Sequence, residues 1–273
     1  MSGLKYYFHV DDFGISKNIS LSIIKSLTKG NLNSVSIIMN CIDKKYHFKL
    51  KSIKNINKRL HLNLTEIPSN KIKENKFLSN LSFIRLIFLS DYKKKVIYKE
   101  IISKINEYKK IYRPKHLKID GHEHVHMIPW VLRYLLQIKK KYKIKEIRNS
   151  NEKLVIPKFK DLINLRYYRN LIACFVIKFF YFIEGKPKLS NHNFFGIVYS
   201  NLQSHENIMK YLNFIRKKKI KKFEILLHSG IGSLAEKKFF RKSNLNFYTS
   251  KKRKEEFKLT FSKKITQVLK DFN

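Results

Sequence analysis

The chain has 273 residues, 43% of them hydrophobic and 14% aromatic, enough to bury the core of a single domain spanning 1–273. Its formal charge is +39, but lysine is spread along the whole length among asparagine and isoleucine, which reads as compositional drift of an AT-rich coding sequence and not as one built basic face. There is no zinc-finger spacing, aromatic RNA-binding strand or basic helix leading into heptads, so no specific nucleic-acid partner is expected.

The N-terminal MSGLKYYFHVDDFG reads as a first strand over 4–10 and not as a signal peptide, because no long apolar run follows a basic start. Further strands are predicted at 34–40, 58–64, 116–120, 144–148 and 223–228 from short apolar runs. Helices are predicted at 19–29, 92–110, 129–141, 202–218 and 252–271 from apolar residues at three- and four-residue spacing. The alternation implies α/β with a parallel sheet. Segments 66–90 and 185–200, rich in Asn, Ser, Gly and Pro, read as loops. Leu171 to Ile183, interrupted by Lys178, falls short of the roughly twenty apolar residues of a membrane span and reads as a buried or interface-lying helix. The only cysteines, Cys41 and Cys174, are too few for a disulfide framework and are expected as buried thiols in a reducing cytoplasm.

The residues best able to do chemistry follow predicted strands, the end at which α/β barrels build their sites. Asp11 and Asp12 are adjacent, so both reach one site only if the chain bends there, and Gly14 permits such a bend. Read alone, the pair is more often a polar turn capping the next helix. In Arg59-Leu60-His61-Leu62-Asn63-Leu64-Thr65, alternation separates His61 from the leucines. In Asp120-Gly121-His122-Glu123-His124-Val125-His126, three histidines at alternate positions lie on one face if the backbone is extended. That pattern is the strongest local signal for a metal, since two histidines and a carboxylate leave coordination positions open for hydrolytic chemistry. His228 follows the strand Phe223-Glu224-Ile225-Leu226-Leu227 and is expected either to emerge at the same end or to be a buried structural histidine.

Taken in order, DDFGIS at 11–16, HLNLT at 61–65, DGHEHVH at 120–126 and EILLHSG at 224–230 resemble the signatures of the YdjC-like carbohydrate deacetylases, a family that includes chitooligosaccharide deacetylases. The resemblance implies a TIM-like (β/α) barrel with irregular closure, with Asp12, His61 and His122 as metal ligands. It further implies Asp11 as the base and His228 as the acid toward the leaving amine. Arg148 resembles a position often occupied by Arg in the family and is expected either to orient Asp11 or bind substrate hydroxyls or to be a surface arginine, and His124 and His126 are expected as substrate contacts. Gly121 and Ser229 stand where the family usually has Ser and Pro. The implied cofactor is one divalent ion, Mg²⁺ first and Zn²⁺ second, and the implied substrate is an acetylated amino sugar, free or lipid-linked. A homodimer and peripheral contact with the inner face of the membrane are both compatible with the sequence. The alternative function is a non-catalytic polyanion-binding protein on the same scaffold.

Overall fold

A computed structural model describes residues 5–39, 42–65 and 81–270. Cys41 and residues 66–80 of the expected loop 66–90 lie outside the described residues, whereas Phe83–Ile87 near the end of that segment is helical. Seven strands, β1 (Lys5–Phe13), β2 (Ser34–Ile37), β3 (Asn57–Leu62), β4 (Leu117–Gly121), β5 (Ile144–Ile147), β6 (Asn193–Phe195) and β7 (Lys222–Leu227), form one sheet in the order β5-β4-β3-β2-β1-β7-β6. Every pairing is parallel, as the alternation of strands and helices requires. β6 falls inside the stretch read as a loop, because three residues are too short to register a period and Gly196 follows directly. Ser190, just before the edge strand β6, donates its N–H to the carbonyl of Ile147 in the other edge strand, β5, at 2.8 Å.

The helices are α1 (Lys17–Lys29), α2 (Lys44–Ser52), α3 (Phe83–Ile87), α4 (Asp91–Tyr112), α5 (Pro129–Gln137), α6 (Phe159–Leu162), α7 (Leu165–Ile183), α8 (His205–Lys217), α9 (Leu245–Tyr248), α10 (Lys251–Leu259) and α11 (Lys263–Lys270). α2 gave no sequence signal because it buries only His47 and Leu50 among exposed lysines. The expected helix over 252–271 is two helices, broken where the Thr260 carbonyl accepts from the Asn31 N–H at 2.7 Å instead of continuing the ladder.

Alternation along the strands separates two buried layers. Phe8, Val10, Val35, Ile37, Leu60, Leu62, Ile119 and Ile225 contribute to the main hydrophobic core. The alternate residues carry charge: Arg59 pairs with Glu224 at 2.9 Å and with Glu146 at 2.7 Å, and Lys118 donates to Tyr7 and Asn57. A polar layer inside the curled sheet replaces the branched aliphatics common in such interiors, and it is tolerated because each charge meets an opposite one.

Gly14 has φ 101°, and a Cβ there would clash with the Ile38 carbonyl oxygen. Gly14→Ala is expected to destabilise the fold by about 2–4 kcal/mol, combining a left-handed backbone with a clash against the backbone just after β2. The midpoint of urea unfolding checks this; an unchanged midpoint would mean that the contact relaxes without cost.

Candidate metal and catalytic site

The bend that the adjacent carboxylates need is made by Asp12 itself, with φ 72°, a conformation that Asp tolerates better than most residues. Between Val10 and Phe13, β1 advances three residues where β2 advances two, so one extra residue bulges out and re-aims its side chain. Both carboxylates thereby face His61, whose Nε2 lies 3.9 Å from Asp11 Oδ2 and 3.8 Å from Asp12 Oδ1.

His61 is oriented from behind. Its Nδ1 lies 2.6 Å from Asp120 Oδ1, which fixes the proton on Nδ1 and turns the Nε2 lone pair toward Asp12. His122 places Nδ1 at 3.0 Å from Asp12 Oδ1 and Nε2 at 3.1 Å from the Tyr248 hydroxyl, an oxygen that accepts from Nε2–H whenever Nδ1 offers its lone pair. One donor atom from each of Asp12, His61 and His122 lies within 4.8 Å of the others, and all three residues are buried. Two imidazoles and an ionised carboxylate converging in this way fit a divalent cation. A second group, His9, Asp11 and Asp120, is equally close, but both of its carboxylates already engage a guanidinium: Arg148 Nη2 lies 3.0 Å from Asp11 and 2.8 Å from Asp120. That cluster does not fit a cation.

Burial pushes the Asp12 carboxyl up, but the hydrogen bond and charge of His122 and the charge of Arg253 outweigh it and hold the group far below the usual carboxylate range. Arg253, on α10, contacts Asp12 Oδ2 through Nη1 and Nη2 at 3.1 and 3.2 Å and donates from Nε to the Gly230 carbonyl. Asp11 is likewise pushed up by burial and overruled by Arg148, then His61 and His9. Arg148 Nη1 and Nη2 grip both Asp11 oxygens at 3.1 and 3.0 Å, while Nε donates to Glu224 at 2.7 Å. Arg148 is fully buried, so its donors face carboxylates and not an open cleft.

The three histidines of 122–126 do not share a face. The extended backbone expected there is replaced by a 3₁₀ turn over His122–Met127 in which Glu123 and His124 are left-handed, with φ 50° and 57°. The side chains diverge: His122 points to Asp12, His124 lies 3.0 Å from the Ser150 hydroxyl, and His126 lies 3.2 Å from the Arg148 carbonyl, wholly inside the protein. Gly121 fits because a Cβ there would stand 2.9 Å from the His126 nitrogen. His228 follows β7, donates its backbone N–H to Glu256 at 2.6 Å and packs edge-on against Phe247. Burial lowers its pKa to about 4, so the resting imidazole is neutral at pH 7.

Sequence reasoning singled out Asp12, His61 and His122 but missed what holds them. Tyr248 and Arg253 carried no local signal, since Arg253 sits in the lysine run KKRK. His9, which lies 2.9 Å from Asp11, was discoverable as the residue two before Asp11 on the same strand face.

Burial lowers the pKa of His9 and His228, of His126 to about 3, and of His47 and His192 to about 4. A depressed pKa in the fold means stability present above the unfolded value of about 6.5 and lost as pH falls through the folded values. Glu152 and Glu256, raised by burial to about 6 and about 7, act in the opposite sense: each contributes stability below about 4.5 that is lost as pH rises through the folded value. Histidines outnumber them, so stability is expected to fall by several kcal/mol, to order of magnitude, between pH 6.5 and 4. Thermal melts across that range check it; a flat profile would contradict it.

The YdjC-like protein family matches residues 6–271. Carbohydrate deacetylases are among the relatives: one of Vibrio campbellii is 23% identical over 52% of this chain and 57% of its own. One of Danio rerio is 24% identical over 47% of this chain and 44% of its own, and one of Mus musculus is 23% identical over 52% and 49%. The chain thus spans about half the length of the curated relatives it matches. A solved structure from Enterococcus faecalis, described as a candidate cellobiose-phosphate cleavage protein, superposes over 99% of this chain and 95% of its own with a TM-score of 0.67 at 16% identity, which shows a common fold. With the family matched from β1 to α11, and with its strand-end carboxylates and histidines gathered at one buried centre, the chain belongs to the YdjC-like protein family.

Proposed function

We propose that this chain is a metal-dependent N-deacetylase of acetylamino sugars, working at the centre formed by Asp12, His61 and His122 with Asp11 beside it. The observation that carries the reading is the convergence of Asp12, His61 and His122 in a buried centre whose neighbour Asp11 is held ionised. The carbohydrate deacetylases among its relatives supply the substrate class. The hydrogen bond between Ser190 and Ile147 supports reading the sheet as an irregularly closed TIM-like (β/α) barrel with its site at the C-terminal strand ends.

A divalent cation held there supplies Lewis acidity toward an amide carbonyl and toward water. Asp11, clamped by Arg148, accepts the proton of the water that adds to the acetyl carbon. The proton that Asp11 takes from the water is handed through His228 to the nitrogen as the C–N bond breaks, releasing acetate and an amine. A neutral imidazole is a weak acid, so its part is to relay the proton and not to store one. Arg148 acts through Asp11 as a positioning residue, and His124, the less buried partner of Ser150, is the better candidate of the two remaining histidines for touching the sugar. Mg²⁺ follows from the family resemblance, whereas two imidazoles favour Zn²⁺ or Mn²⁺ by ligand softness.

An acetate-release screen across N-acetylated chito-oligosaccharides and other acetylamino sugars tests the reading. Release that stops on chelation and returns with a divalent ion is expected; no acetate from any acetylamino sugar by metal-loaded protein would refute it.

A further inference from the structure

Twelve of the seventeen exposed large hydrophobic side chains among the described residues fall between Leu154 and Ile183. On α7 the inner face, Tyr167, Cys174, Ile177 and Phe180, packs into the core. The outer face repeats Leu165, Ile172, Phe175, Phe179 and Phe182, each more than half exposed, at helical three-, four- and seven-residue spacing. A helix with large apolar residues on both its inner and outer faces is normally enclosed on both, yet this one is covered on one side only. Ile156, Phe159 and Ile163, in the segment that leads into α7, are 87%, 82% and 74% exposed. A contiguous apolar surface of this kind marks an interaction site.

Charge decides what covers it. Residues 153–188 carry eight Lys or Arg against two acidic residues. Lys178 and Lys186 lie back over the rings of Phe175 and Phe182 at 5.7 and 5.5 Å, the posture of cations that rim an apolar face. A second copy of a chain at +39 would bring like charge against like. An anionic lipid surface accepts both the apolar side chains and the lysines around them. Among the described residues no helix is long and apolar enough to cross a membrane, so the contact is peripheral.

We propose that the outer face of α7, with the segment 154–165 before it, docks on an anionic membrane surface. Docking would also orient the site. Asn170 donates to the carbonyls of Val198 and Ser200, and Tyr167 packs on Tyr199, just beyond the C-terminal end of β6. The N-terminal half of α7 is therefore at the same end of the sheet as Asp11, His122 and Arg148, which suits a substrate whose sugar is anchored in lipid. The docking itself does not depend on the deacetylase reading.

Flotation of the full chain with vesicles tests it. The protein is expected to float with vesicles containing phosphatidylglycerol and not with phosphatidylcholine alone. The Phe175→Ser, Phe179→Ser double variant, which leaves every charge in place, is expected to bind anionic vesicles at least about tenfold more weakly. Undiminished binding by that variant would mean that charge alone drives attraction, and absence of binding by the unaltered chain, or a stable dimer that shields 165–182, would equally overturn the proposal. Hydrogen exchange on the unaltered chain removes any dependence on the variant's folding: amides in 156–183 should slow when anionic vesicles are added, and unchanged exchange there would refute docking through this face.

Discussion

Replacing Arg148 by methionine is expected to lower the thermal midpoint by about 10 °C, because breaking a buried ion-pair network by removing one partner costs about 3–5 kcal/mol. Methionine fills much of the same volume but leaves Asp11 and Asp120 buried without their nearest cation, and Glu224 with only Arg59. Arg148→Lys is expected to recover little, since an ammonium cannot grip two Asp11 oxygens while also reaching Glu224. The acid side of the stability profile should move as well. Arg148 is the leading influence that opposes the upward push of burial on Asp11 and Asp120. Without it both carboxyls take up protons at higher pH, and stability is lost earlier as pH falls. A Glu224→Gln change combined with Arg148→Met should cost less than the sum of the two single changes, because they share one interaction. A midpoint within about 2 °C of the parent would show that water or Arg59 compensates.

Asp11→Asn is expected to reduce the rate of acetate release by about 10³, within the range attributed to a positioned general base, while KM changes little. The pH dependence carries the diagnosis. A carboxylate held far below its usual range stays ionised throughout the neutral region, so the residual activity of the amide variant should lose any acid limb that belongs to this group. The amide also turns an N–H₂ toward the Arg148 guanidinium, so the variant's melting point needs to be measured beside its rate. A tenfold or smaller loss of rate in a folded Asp11→Asn variant would assign proton transfer elsewhere, with His228 the next candidate.

The residues of the centre were legible in the sequence because they stand at strand ends and because His61 and the 120–126 cluster arrive in order behind the Asp pair. What brings them together was not. The bulge at Asp12 rests on a φ of 72° that no local propensity announces, and only its cross-strand register with Ile37 reveals it. The left-handed pair Glu123 and His124 defeats the period-2 reading of the histidines, leaving one of the three beside Asp12. The ion-pair layer was hidden for another reason: both faces of β1 are buried, so Tyr7, His9 and Asp11 alternate with Phe8 and Val10 without the exposed side that makes alternation readable. Arg253 reaches Asp12 across 241 residues of sequence, a distance over which a lysine-rich helix gives no hint. β6 emerges only as the partner of β7.

Titration of metal-stripped protein with Mg²⁺, Mn²⁺ or Zn²⁺, following bound ion and acetate release together, is the most direct test of the metal centre. One ion per chain is expected, with activity rising in step with occupancy and both lost in His61→Ala. Full acetate release from stripped protein, or binding left intact by His61→Ala, would contradict the assignment of Asp12, His61 and His122 as the working centre.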